Sequence, residues 1–248
     1  MATFYQYTKE GNQIWSTATA NLQAGTMDWL GNGFFIVNGP GNISLWKITD
    51  RGIAQIGVRI VTYTAAQSGG GIAYNHHRLH LDEANTTEED LFNFDGQSFF
   101  YTFNELIGSP GVLNGFLAMR NVTGKNCSNI VFQANIDGVV AAEKGICWDG
   151  SYLYALVLTT STPSTEKLRI YSIIGSTVTN INNPNVQNTT HEDICFDGYY
   201  FWCADSTGPT IRQYTVNKGT IKEVNNFTAP TGVTGITTDG TYLYIIGA

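Results

Sequence analysis

Three of the four histidines fall in one short stretch, YNHHRLHLDE, over residues 74–83. In an extended chain His76, Arg78, His80 and Asp82 share one face, because side chains alternate with a period of two. In a helix His76 and His80 stand one turn apart. Two imidazoles and a carboxylate are donors that can hold a divalent metal, which makes His76 and His80 the candidate ligands. Arg78 between them repels a cation, so no metal is assigned. The other readings are a binding surface made of His76, His77, Arg78, His80 and Asp82, or a polar loop with no special role.

Carboxylates come next. Asp95, Asp149, Asp197 and Asp239 each precede a glycine between apolar runs. Asp-Gly is the turn of a tight hairpin, where Asp caps the loop and Gly takes the left-handed conformation. The four are therefore read as turn formers spread around a rim, and no catalytic residue is assigned. Asp28, Glu143, His191, Glu192 and Asp193 flank strands that are otherwise apolar to neutral, such as Ile146-Cys147-Trp148 and Ile194-Cys195-Phe196.

Cys127, Cys147, Cys195 and Cys203 contain no C-x-x-C pair. Zinc spacing is absent, and the cysteines read as small buried hydrophobes. Cys195 and Cys203 lie on one hairpin, in a register the turn leaves open. Six Asn-x-Ser/Thr sequons occur, at Asn42, Asn85, Asn121, Asn126, Asn188 and Asn226. All are expected in turns or connections, where a glycan can attach.

These residues sit on a repeat. "GICWDGSYLYALV" (145–157), "DICFDGYYFWCAD" (193–205) and "GITTDGTYLYIIG" (235–247) are the same hairpin. "LFNFDGQSFFYTF" and "MDWLGNGFFIVN" are looser copies, turning at Asp95-Gly96 and Gly31-Asn32. The aromatic and aliphatic runs after each turn fit strands buried on both faces. A second hairpin follows the first four, for example "IRQYTVNKGTIKEV" (211–224). The last inner hairpin has no such partner after it. "FYQYTKEGNQIWST" (4–17) aligns without gaps to 211–224, so the outer hairpin missing at one end stands at the other.

Units of about 40–50 residues with four strands resemble the β-propeller. The resemblance covers nearly the whole chain and implies an all-β fold: a five-bladed β-propeller of four-stranded antiparallel blades, the last closed by N-terminal strands. The expected blades are 24–63, 88–137, 139–187, 191–229, and 233–248 plus 1–18, all in one domain of 248 residues. Neither the WD40 nor the kelch signature is present. The first turn-to-turn spacing, 64 residues, exceeds the others and places an insertion at 64–90. Long loops on a rigid scaffold are where function concentrates. In enzymes resembling five-bladed glycosidases, inner-strand carboxylates converge in a central funnel; here Asp28 is the one acidic residue read on those strands.

Composition bounds the function. Only 13% of residues are charged and the net charge is −7, so nucleic acid is not an expected partner, for want of a basic face. No apolar stretch is long enough to span a membrane, and the N-terminus shows no secretory signal. A polar, low-charge surface without a catalytic set suggests a non-enzymatic interaction module. The expectation is a viral or phage structural or attachment protein, in a virion or extracellular particle, engaging other structural proteins or a surface glycan, with no cofactor. Two alternatives stand beside it: a glycosidase- or lyase-like propeller enzyme, and a cytoplasmic propeller scaffold.

Overall fold

The computed structural model describes residues 1–31, 33–39, 42–50, 52–62, 67–74, 98–107, 112–123, 126–137, 142–158, 166–174, 177–186, 191–206, 208–217 and 220–247. Within these, 57–62, 67–71, 74, 98–107, 112–123, 126–137, 142–143 and 158 are described by their backbone alone.

The described residues form strands and turns and no helix. In chain order the strands are β1 (Ala2–Thr8), β2 (Gln13–Thr19), β3 (Thr26–Gly31), β4 (Phe34–Asn38), β5 (Asn42–Thr49), β6 (Gly52–Thr62), β7 (Gln67–Tyr74), β8 (Ser98–Ile107), β9 (Val112–Thr123) and β10 (Asn126–Asp137). There follow β11 (Ala142–Trp148), β12 (Leu153–Leu158), β13 (Glu166–Ile174), β14 (Thr177–Asn182), β15 (His191–Phe196), β16 (Phe201–Asp205), β17 (Thr210–Asn217), β18 (Thr220–Thr228), β19 (Val233–Thr238) and β20 (Tyr242–Gly247).

They pair into five four-stranded sheets, ordered β3-β4-β5-β6, β7-β8-β9-β10, β11-β12-β13-β14, β15-β16-β17-β18 and β19-β20-β1-β2. Every pairing is antiparallel. The first strand of each sheet packs on the first strand of the next, from β3 through β7, β11, β15 and β19 back to β3. The fold is a β-propeller with four-stranded antiparallel blades. Its ends are clasped: β1 pairs with β20, placing Phe4 opposite Ile246 and Tyr7 opposite Leu243.

The core lies between the sheets, since each twisted sheet has two apolar faces and buries them only against neighbours. Phe4, Tyr244 and Ile246 of the clasped sheet pack with Met27, Phe35 and Trp46 of the next. On its other side Tyr7, Leu243 and Ile245 meet Trp202, Ala204 and Ile211. Cys147, Leu156 and Leu168 meet Ile194, Cys203 and Tyr214 in the same manner.

The Asp-Gly hairpins repeat atom for atom. Asp149 Oδ1 accepts the amides of Ser151 and Tyr152 at 2.8 and 2.7 Å, and Asp197 Oδ1 those of Tyr199 and Tyr200 at 2.9 and 2.7 Å. Asp239 Oδ1 holds Thr241 and Tyr242 at 2.7 Å each. Gly150, Gly198 and Gly240 follow at φ of 99°, 97° and 91°, a region that costs an L residue its Cβ–carbonyl clearance.

The second sheet corrects the expected boundaries. Its innermost strand is β7, within the expected insertion 64–90, and not Phe92-Asn93-Phe94 before Asp95-Gly96. The hub supplies the reason. A Cβ on Gly145 would lie 2.4 Å from Asp193 Oδ1, and one on Gly235 would lie 2.3 Å from the Gly25 carbonyl oxygen. At Gly145 and Gly235 the neighbouring inner strand leaves no room for a side chain. Gln-Ser-Gly-Gly-Gly-Ile-Ala-Tyr of β7 satisfies that demand, and its Ile72 and Ala73 are fully buried. Residues 75–97, which hold Asp95 and Gly96, lie outside the described residues.

Candidate active site at the mouth of the ring

The three described Asp-Gly turns, at Asp149, Asp197 and Asp239, share one face of the ring and frame a cavity of about 350 Å³. Its wall is built from the same repeat position of several sheets. Trp148, Phe196 and Thr238 end three inner strands and are followed by Asp149-Gly150, Asp197-Gly198 and Asp239-Gly240, and Trp29 stands near the end of a fourth, β3. A pocket with aromatic walls and a few polar groups is the usual form of a small-molecule site.

Each carboxylate is fixed by both oxygens. While Oδ1 closes the turn, Oδ2 takes a donor five residues on: Tyr154 Oη to Asp149 at 2.8 Å, Trp202 Nε1 to Asp197 at 2.9 Å, Tyr244 Oη to Asp239 at 2.9 Å. Asp197 also receives Lys9 Nζ at 2.7 Å, from the turn between β1 and β2. Burial alone would raise the Asp197 carboxyl, but the bonds from Lys9, Trp202 and two amides outweigh it and hold it below the usual carboxylate value. Burial first, and then the bond to Asp149 or Asp239, pushes the Tyr154 and Tyr244 hydroxyls upward, so both stay protonated donors. Trp29 lies parallel on Tyr244 with ring centroids 4.9 Å apart. The cavity wall is thus rigid: Asp239 holds Tyr244, and Tyr244 holds Trp29.

Two buried polar groups lie away from the mouth. Asp193 stands at the hub position that Gly145 and Gly235 occupy in their sheets, and is fully buried. Its Oδ2 accepts the amides of Met27 and Ile236, each at 2.9 Å, and its Oδ1 that of Ile194 at 2.9 Å. One side chain thereby ties three sheets together. Asp28 adds a link beside it, accepting Thr237 Oγ1 at 3.2 Å. The second group joins Glu166, His191 and Tyr214 between neighbouring sheets. His191 Nδ1 bonds to Glu166 Oε2, and His191 Nε2 to Tyr214 Oη at 3.1 Å. Glu166 and His191 are fully buried and Tyr214 nearly so.

In the sequence Asp193 and His191 stand as residues flanking an inner strand, and Glu166 carries no signal there. The aligned triplets Gly145-Ile146-Cys147, Asp193-Ile194-Cys195 and Gly235-Ile236-Thr237 held the signal for Asp193, a charge where its equivalents have no side chain. Nothing in the repeat marks the Glu166–His191 pairing, which joins residues on different sheets.

His76, His77, Arg78, His80, Asp82, Asn85 and Asn188 lie outside the described residues. The sequons were expected in turns, yet Asn42, Asn121, Asn126 and Asn226 stand in β5, β9, β10 and β18, because outer hairpin strands run further than the turn signals implied. Asn42 is also buried, which leaves no room for a glycan. Asn226 is exposed and donates to Glu223 Oε1 at 2.7 Å. Cys195 pairs with Trp202, and Cys203 with Ile194, so the two cysteines are not opposite one another. Cys147, Cys195 and Cys203 are free and buried.

No family model matches the chain, and no curated protein matches it. Solved structures share its fold. A nidogen/laminin complex aligns over 100% of this chain and 99% of that one, at 10% identity and a TM-score of 0.51. The PQQ-bound aldose sugar dehydrogenase of Streptomyces coelicolor aligns over 93% and 96%, at 9% identity and a TM-score of 0.48. The Dos1 propeller aligns over 94% of this chain, at 11% identity and a TM-score of 0.41, and this chain spans 56% of its length.

The expectation of a non-enzymatic module of a viral particle does not stand, because it rested on the repeat lacking an obvious catalytic set. A repeat without an obvious catalytic set is no ground for excluding an enzyme, since function belongs to sites placed on a fold. The cavity described above puts three carboxylates where sequence reading found only turn formers.

Proposed function

We propose that this protein is a propeller enzyme that hydrolyses a glycosidic bond, with the saccharide bound at the turn-face mouth. One observation carries the reading: three carboxylates and three aromatic rings share the wall of a single cavity of about 350 Å³. A pyranose has an apolar C–H face that suits Trp29, Trp148 or Phe196, and a rim of hydroxyls that donate to carboxylates. The acidic wall and the net charge of −7 disfavour phosphorylated ligands.

Hydrolysis of this kind uses two carboxyl groups, one giving a proton to the leaving oxygen and one ionised to activate water or meet the developing positive charge. Asp197, held ionised by Lys9 and Trp202, fills the second role. To fill the first, Asp149 or Asp239 has to take up a proton and release the hydroxyl of Tyr154 or Tyr244 that it accepts in the resting chain.

The test is a panel of 4-nitrophenyl glycosides, with nitrophenol release as the readout. Asp197→Asn keeps an acceptor for the turn amides and should cut release by about 100-fold or more, with thermal unfolding as a check on folding. Trp148→Ala should weaken substrate binding. If no glycoside is cleaved and no sugar changes the tryptophan fluorescence, the reading fails. A response to choline alone would assign the aromatic cage to a cation instead.

A further inference from the structure

We infer that the substrate is an oligosaccharide, and that Tyr199 forms an outer stacking subsite for a sugar ring beyond the mouth; this rests on the saccharide reading above. Tyr199 sits at the tip of the turn whose Asp197 and Gly198 line the cavity. It is 84% exposed, which for a phenol ring on a rigid turn means nearly all its apolar face is in water. Turn chemistry does not require it, since Ser151 and Thr241 occupy the equivalent place in sister turns.

The tip is nonetheless held in place. The amides of Tyr199 and Tyr200 both donate to Asp197 Oδ1, at 2.9 and 2.7 Å, and Asp197 is held in turn by Lys9. A ring on a fixed backbone loses little conformational freedom on stacking. Tyr199 also has company, because Tyr152 and Tyr200, one position further along their turns, are 40% and 38% exposed. Single exposed aromatics are ordinary, but these three belong to the two turns whose Asp149-Gly150 and Asp197-Gly198 line the aromatic-walled cavity. A ligand confined to the cavity leaves them unused, whereas a chain of sugar rings leaving the mouth crosses them. The acidic residues that line the mouth disfavour an anionic chain.

The experiment measures binding of N-acetylglucosamine, its β-1,4-linked trimer, glucose and cellotriose to the full chain by calorimetry and tryptophan fluorescence. At least one trimer should bind about tenfold more tightly than its monosaccharide, and Tyr199→Ala should remove that advantage while leaving the monosaccharide unchanged. Tyr199→Phe should keep it, since stacking needs the ring and not the hydroxyl. Trp148→Ala should weaken both ligands. If a monosaccharide binds but no trimer gains, or if Tyr199→Ala leaves the trimer unaffected, the subsite is refuted while the saccharide reading stands. If no saccharide binds the wild-type chain, both fall.

Discussion

The Asp193 carboxylate accepts the backbone N–H of Met27, 2.9 Å away, across 166 positions of sequence. With Ile236 and Ile194 also donating to it, this one side chain replaces backbone contacts that the inner strands cannot make with each other. Asp193→Ala leaves three buried amides without their acceptor, and should cost about 3 kcal/mol or more in urea unfolding.

The same group makes a pH prediction. Burial pushes the Asp193 carboxyl well above the ordinary 3.8, against the pull of the three amides. The folded state then binds its proton more readily than the unfolded chain. Its contribution to stability is complete below the unfolded-state value and declines as pH rises towards the folded-state value. Unfolding free energies of wild type minus Asp193→Asn should therefore fall between acid and neutral pH. A difference that grows instead would mean that the amides outweigh burial.

The clasp is a tertiary bond between the chain's ends. Phe4 is fully buried, with its ring 4.7 Å from that of Phe35 and 5.8 Å from that of Tyr244. Phe4→Ala should lower stability by about 3–5 kcal/mol. Removing residues 1–20 strips β20 of one of its two partners, β1, and frees an edge, and the corresponding peptide added in trans should restore the lost thermal stability. Equal stability with and without the segment would refute the clasp.

Two glycines should respond very differently to alanine. At Gly198 a Cβ would stand in open space, so only the φ of 97° opposes it, at about 1–2 kcal/mol. At Gly145 an added Cβ would fall 2.4 Å from Asp193 Oδ1 and 2.5 Å from Asp193 Cα. Gly145→Ala should be much the more damaging of the two by thermal unfolding, and equal losses would contradict the crowded hub.

Glu166 and His191 pair at full burial. Removing one partner leaves a buried polar group stranded, so His191→Ala should cost about 3–5 kcal/mol. Replacing both, as Glu166→Leu with His191→Leu, should recover part of that loss. A double-mutant cycle in chemical denaturation measures the difference, and strict additivity would show that the pair does not interact.

The alternation of apolar runs with Asp-Gly and Gly-Asn turns was enough to read a ring of four-stranded sheets, because each hairpin is closed by neighbours within a few residues. The match of residues 4–17 to 211–224 likewise revealed the clasp, since paired strands in equivalent places carry equivalent side chains. The second sheet was misread where its local pattern was weakest. The hydrophobic Phe92-Asn93-Phe94 looked more like a strand than a run of glycines, and only the crowding at the axis explains why small residues belong there.

Local sequence also determined what Asp149, Asp197 and Asp239 do within their own turns, because those bonds span two to five residues. That their side chains face one cavity with Trp29, Trp148 and Phe196 was decided by ring closure, which brings equivalent positions of different sheets to one mouth. Asp193 and the Glu166–His191 pair follow the same division. Their partners lie on other sheets, and a carboxylate's burial, its bonded amides and its protonation depend on what closure packs around it.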